Sequence, residues 1–440
     1  MPDYRITGTG KTTAYGDLEL TLKLSPLAPQ TPALIVETLH TEPTWLRPIA
    51  AHMAVPLKGV PLLCDSGVML RRISDVEDII KTTDVNYGLP WIVTAARGHY
   101  NGYSRWSCES ANGAYVIAFR TNNHASLYST DNAEYIGPLV PNKNHAIGET
   151  AEIRWLRDHN DTFIYHFGSK IFQQSVIGGY PNATGLLSVA SIGATGINAN
   201  GDCDLDDSDS YWTLKTNDNR IFCINLYSNE ILPVTLPGNP SGLDISPDGK
   251  WLTVMWPQPL FYRIEELTNT QKHPTPVALP TVSAGHSGWA YLPNGTCVYT
   301  YQNNRTDSYC YFDPATGVET KVCSIYTFGT RPNNHSARMP RSKPGWQLIS
   351  TYSGDTSHPM HNQIFMLELK PEADGPRIWR IGSTQNTYTQ GEYFTEAFAS
   401  INMTGDRVYF GSNWLGAGML ELYSYQLPSD WRDLLKEEVI

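Results

Sequence analysis

The chain has 440 residues, 41% hydrophobic and 11% aromatic, with 43 acidic residues against 32 basic ones and a formal net charge of −11. That balance excludes nucleic acid as the default partner, because neutralising phosphates takes basic patches, although a few arginines can still set a local positive potential. No run of about 18 apolar residues occurs, so no membrane-spanning helix is expected.

Residues 1–60 follow no repeat. The stretch 17–24 alternates like a strand, and the TGTGKT of residues 7–12 lacks the spacing of a phosphate-binding loop. A Pro-containing segment runs on to residues 68–75, and this N-terminal extension is expected to pack on the remainder and supply a closing strand. No apolar signal-peptide core is visible; a secreted or periplasmic location is the working expectation.

From about Trp91 a single pattern recurs seven times, a polar turn followed by alternating aromatic and β-branched residues. The turns hold Asn112-Gly113, Asn160-Asp161, Ser208-Asp209, Asp248-Gly249, Asn294-Gly295, Pro344-Gly345 and Gly405-Asp406. They lie roughly 40–60 residues apart, the period of a four-stranded blade. Gly, Asn and Asp reach tight-turn backbone angles cheaply, so each copy reads as a hairpin. Seven such units predict an all-β, seven-bladed β-propeller, whose closure removes exposed sheet edges. The expected organisation is 1–60 as extension, 61–428 as propeller and 429–440 as a tail. SDWRDLLKEEV, at 429–439, reads there as one short helix behind a Ser/Asp cap.

Seven cysteines with no CxxC argue against a disulfide framework, although Cys310 and Cys323 fall on neighbouring strands and could pair. The acidic run Asp202, Asp204, Asp206, Asp207 and Asp209 lacks the glycine and terminal glutamate of a calcium loop and reads as a turn with weak calcium capacity.

The innermost strand of a blade precedes its first turn, which directs attention to 98–107, 152–157, 201–206, 241–245, 285–291, 335–338 and 392–400. His286 and His335 open inner strands of adjacent blades, so their imidazoles are expected in one funnel as candidate divalent-metal ligands. Glu396, His358, His361 and Cys323 are the further ligand candidates. His124 and His145 suit a general base and its helper, since imidazole titrates near neutrality. Arg105 beside Tyr103, Arg154, Arg220 and Arg263 can meet an acidic substrate, because a guanidinium grips a carboxylate bidentately.

The blade sequence GHSGWAYLPNG…YFDPATG, followed by HSAR…KPGWQLISTY and DRVYFGSNW, resembles the propeller polysaccharide lyases, that is the ulvan lyases and more distantly the oligogalacturonate lyases. GVPLLCDSGVMLRRISD and YSRWSCESANGAY are similar to the way those proteins enter the ring. The resemblance covers roughly residues 58–420 and implies β-elimination on a uronate-bearing glycan. In such a reaction an arginine neutralises the carboxylate and a His or Tyr takes the C5 proton. It implies His124 and His145 as the catalytic histidines and Arg220 as the neutraliser, with Tyr262 or Tyr211 closest to the assisting tyrosine and Asp202 or Asp204 as the alternative in its place. Tyr103, Arg105 and Arg154 are then the substrate contacts. The resemblance further implies one divalent metal, zinc ahead of manganese or calcium, and no organic cofactor. The partner would be an acidic polysaccharide, with neither nucleic acid nor membrane, and the chain a monomer. In the last blade, where the family often has a histidine, this chain reads Glu396-Ala397-Phe398. The rival expectations are a non-catalytic glycan- or protein-binding propeller and a metal-dependent hydrolase using His286 and His335.

Overall fold

A computed structural model describes residues 4–12, 18–26, 35–38, 54–64, 66–81, 98–120, 124–139, 151–176, 184–198, 203–234, 240–256, 258–267, 275–281, 284–329, 333–355, 357–389, 392–416 and 419–435. The chain divides into two compact units, Met1–Leu34 and Ile35–Ile440. The first contains an antiparallel pair, Tyr4–Thr12 with Leu18–Pro26, so the TGTGKT stretch is strand.

The second unit is the seven-bladed propeller. Five antiparallel sheets have four strands and two have five. In chain order the inner strands are His99–Tyr100, Arg154–Trp155, Ile197–Asn198, Gly242–Ile245, Ala284–Tyr291, Asn333–Ser336 and Ser400–Ile401. We number the blades 1 to 7 from them. Each inner strand leads toward one of the seven predicted turns. At the turn of blade 7, Gly405 has φ 75°, and a Cβ there would run into the Lys343 side chain. In blade 3 the non-glycine Asp209 takes the left-handed conformation instead, with φ 55°.

The ring closes with strands from opposite ends of the unit. Met69–Arg72 pairs antiparallel with Glu421–Gln426 in blade 7, and Leu62–Leu63 adds outside it. Ile35–Thr38 adds a fifth strand to blade 6 beside Arg377–Ser383. Alternation sends one face of each strand into the inter-blade layers, where Trp155, Trp212, Trp289 and Trp379 are fully buried. The tail forms a short helix, Trp431–Leu434. Its Trp431 is buried against Trp379, with ring centroids 5.1 Å apart, and donates Nε1–H to the Gly405 carbonyl at 2.7 Å. Cys310 and Cys323 do not pair. A bulge after Tyr309 sets Cys323 opposite Tyr309 and Cys310 opposite Lys321, and all seven cysteines are free thiols.

Closure by the Met69–Arg72 strand makes a differential prediction. Leu70 is buried and Leu63 exposed within the same sheet. Leu70→Ala should cost about 2–5 kcal/mol in denaturant unfolding, whereas Leu63→Ala should stay within about 0.5 kcal/mol. Equal effects would mean that this strand does not close the ring.

Candidate functional site

After the inner strand of blade 1 the chain crosses the channel. Ser104 Oγ donates to the Ser336 carbonyl of blade 6 at 3.1 Å. Arg105 reaches blade 5, where Nε donates to the Ser287 carbonyl and Nη2 to Ser287 Oγ, both at 2.9 Å. Trp106 lies under the Arg154 guanidinium of blade 2, 3.9 Å from its ring centroid. Arg154 also pairs with Glu152 at 2.8 Å and donates to the Cys203 carbonyl at 2.6 Å. Glu152 holds this pairing from a left-handed backbone, φ 52°, a conformation that only a well-determined surrounding sustains. Segment 103–107 therefore plugs the hub and separates two mouths.

The first mouth lies where the inner strands begin. The His286 and His335 rings are 4.1 Å apart between centroids, and Tyr352 stacks on His335 at 5.0 Å. The register explains this, since Asn333 pairs with Tyr352 and the tyrosine thus leaves its strand beside the start of the inner one. Tyr103 meets His335 edge-on at 5.5 Å and Phe398 closes the far side at 4.5 Å. His335 Nδ1 donates to the Ala397 carbonyl at 3.1 Å, and its Nε2 lies 3.6 Å from Glu396 Oε2. Glu396 also hydrogen-bonds Tyr352. Tyr388 joins Tyr352 at 5.3 Å and carries the lining into a neighbouring cavity of about 230 Å³ that includes His358 and His361.

Burial shifts this cluster toward its neutral forms. Burial, reinforced by the Arg105 charge, lowers the His286 pKa to about 4. Burial and then the neighbouring His286 push His335 well below the ordinary histidine range. Desolvation raises Glu396, against the Tyr352 hydrogen bond, and also drives the Tyr352 hydroxyl upward. At neutral pH the mouth thus presents neutral imidazoles and a protonated phenol, the forms suited to accepting and donating a proton.

Six of the sequence-derived candidates converge on the plug and this mouth: Tyr103, Arg105, Arg154, His286, His335 and Glu396. His124, Arg220 and Tyr262 do not join them. His124 opens the third strand of blade 1 beside Arg120, with its pKa lowered by burial to about 4. Arg220 lies in blade 3, paired with Asp218 at 2.8 Å and donating to the Ile192 carbonyl. Tyr262 is core, packed with Leu252, Ile264 and their neighbours. Among the described residues no contact links His124 with Arg220, and His145 lies outside the described residues. Tyr352 and Tyr388 escaped the sequence reading because Tyr352 ends a second strand and Tyr388 lies in a loop. The pairing of the Tyr352 strand with the inner strand was the signal available.

A metal fits poorly. Among the described residues no three His, Cys, Asp or Glu side chains converge as ligands. His335 has spent Nδ1 on a carbonyl, and Glu396 is the one carboxylate beside it. No step is derived through a metal. The acidic run is likewise no calcium loop. Arg157 sits amid it, 2.9 Å from Asp204, 3.5 Å from Asp209 and 3.7 Å from Asp207. Asp206 caps its own turn through Ser208 and the Tyr211 N–H, while Asp202 lies outside the described residues. No described helix is long and apolar enough to cross a membrane.

No family model and no curated sequence matches the chain. Among solved structures, an oligogalacturonate lyase in complex with manganese is similar at TM-score 0.58 and 12% identity, over 86% of this chain and 98% of that one. An oligogalacturonate lyase from Vibrio parahaemolyticus is similar at TM-score 0.55 and 10% identity, over 84% of this chain and 99% of that one. At such identities the likeness establishes the shared seven-bladed propeller class. It does not extend to a particular activity.

Asp244 in the hub supplies a test of these electrostatics. It is fully buried; Oδ1 accepts the Ile245 N–H at 2.8 Å, and Oδ2 has no hydrogen-bond partner. Burial raises its pKa to about 7 despite Arg105 and Arg338 nearby. Because the folded pKa exceeds the unfolded value, the protonated form stabilises the fold fully below about pH 4, and that contribution disappears as pH rises through about 7. Unfolding free energy measured from pH 4 to 8 should therefore fall less steeply in Asp244→Asn than in the parent. Superimposable profiles would show that Asp244 titrates normally.

Proposed function

We propose that this propeller is a polysaccharide lyase that cleaves an acidic, uronate-bearing glycan by β-elimination at the His286 mouth. The observation that carries the reading is the meeting of two neutral imidazoles, a phenol hydrogen-bonded to a carboxylate, and a buried guanidinium at one end of the channel. His286, the less buried imidazole, takes the C5 proton of the uronate. The Arg105 charge favours the carboxylate as it becomes enolate-like, and Tyr352 protonates the oxygen leaving C4. His335 is a positioning residue, since it is buried and held by the Ala397 carbonyl. The fold shared with two oligogalacturonate lyases supports this reading. It makes oligogalacturonates the first substrates to try, ahead of ulvan. A secreted or periplasmic location would suit a polymeric substrate.

A non-catalytic glycan-binding propeller is the second reading, favoured by the burial of Arg105, His335 and Tyr352 and by the exposed Tyr393 ring, which packs on Phe398 at 4.6 Å and could stack on a sugar.

Oligogalacturonate, ulvan, alginate and glycosaminoglycans, offered in turn, should yield from at least one the ultraviolet absorbance of a 4,5-unsaturated uronate. Binding without that product on every polymer would establish the second reading. His286→Ala should lower kcat by about 10²–10⁴, while His124→Ala should leave it within a few-fold; the reverse order would return the base to blade 1.

The base must be neutral, so kcat/KM should hold down to about pH 5 and fall as His286 protonates near its lowered pKa of about 4. A fall centred near the ordinary histidine value of about 6.5 would remove His286 from that role.

A further inference from the structure

We propose that the opposite mouth of the channel, below the 103–107 plug, is a second binding site that takes a small organic carboxylate. The plug lies between it and the elimination chemistry, with Arg105 of the plug bordering both.

The inner strands end here at their turns, around a cavity of about 280 Å³. Four guanidinium groups (Arg105, Arg157, Arg338 and Arg341) and two carboxylates (Asp204 and Asp207) line it, in a chain whose overall charge is −11. The two carboxylates are shared. Asp204 lies 2.9 Å from Arg157 and 4.0 Å from Arg338, and Asp207 lies 3.7 Å and 3.5 Å from the same pair. Asp209 adds a contact to Arg157 alone.

Arg338 is the decisive group. Its side chain is 4% exposed, and its Nη1 donates to the Ile245 carbonyl at 3.3 Å. Its Nη2 makes no hydrogen bond and has only the ion pair to Asp207 Oδ1, at 3.5 Å. At the cavity wall the exposed Arg341 makes no ion pair among the described residues and has the Tyr291 ring 6.0 Å away. Asp244, the remaining carboxyl facing Arg105 and Arg338, is held near pH 7 by burial and offsets part of this charge. A buried guanidinium N–H held only by a long ion pair keeps its donor capacity, and a ligand carboxylate supplies a closer acceptor in the geometry a guanidinium prefers. Met339, Ile401 and Met403 give the cavity apolar walls, which favour an organic anion over a fully hydrated inorganic one.

The test is calorimetric titration of the full chain with galacturonic acid, galactose and inorganic phosphate, repeated on Arg341→Ala and Arg341→Glu. Arg341 is exposed, so both variants keep the fold, checked by an unchanged unfolding midpoint. Galacturonic acid should bind, galactose should not, and Arg341→Ala should weaken binding by at least about tenfold, the equivalent of one charge-assisted hydrogen bond, with Arg341→Glu weakening it further. His286→Ala should leave this affinity unchanged, which distinguishes failure here from failure of the lyase reading. Absence of binding up to about 10 mM, equal binding of galactose or phosphate, or an affinity lost in His286→Ala and kept in Arg341→Ala would each overturn the proposal.

Discussion

A ring of seven sheets encloses a central channel, and this fold crosses it with backbone. Residues 103–107 cross the hub and are tied to three other blades, through Ser104 to Ser336, Arg105 to Ser287, and Trp106 beneath Arg154. Each tie joins residues far apart in the chain, so the hub exists only once the ring has closed. Closure in turn depends on Met69–Arg72 pairing with the final strand, next to which His99 and Glu421 meet at 3.5 Å between blades 1 and 7.

The crossing brings charge into the interior. Burying arginines is tolerable only where carbonyls and carboxylates surround them. Arg154 has Glu152 and the Cys203 carbonyl, and Arg157 has three aspartates. The same burial that makes these pairs necessary acts on isolated groups by favouring their neutral forms. His286 and His335 are lowered, and Asp244 is raised to about 7. An acidic protein thus carries buried arginines in its hub, matched by carboxylates, with imidazoles held neutral on one side.

This arrangement accounts for how two mouths on one channel differ in character. At the first, Arg105 is seen by the imidazoles through its charge while its N–H groups are held by Ser287. At the second, Arg338 and Arg341 retain donor capacity. A fold shared with oligogalacturonate lyases at 10–12% identity does not specify such differences, because a propeller is a scaffold whose chemistry lies in side chains at the strand ends.

Much of the architecture was legible in the order of residues. Recurring turns and alternating runs are local, and local chemistry suffices to form a hairpin, so the blade number and most inner strands could be read directly, while that of blade 3 lies at Ile197–Asn198, ahead of the expected 201–206. Tyr103, Arg105, Arg154, His286 and His335 were found because each lies on or just after an inner strand. His124 and Tyr262 sit on third strands and Arg220 in the turn before one, and their catalytic roles were assigned by resemblance. Which groups actually meet was decided by tertiary structure alone. His286 with His335, Tyr352 with Glu396, and Arg338 with Asp204 are joined across blades by ring closure and by the crossing of residues 103–107. The pKa shifts follow the same rule, for desolvation depends on the neighbours that packing assembles and not on the residues adjacent in the chain.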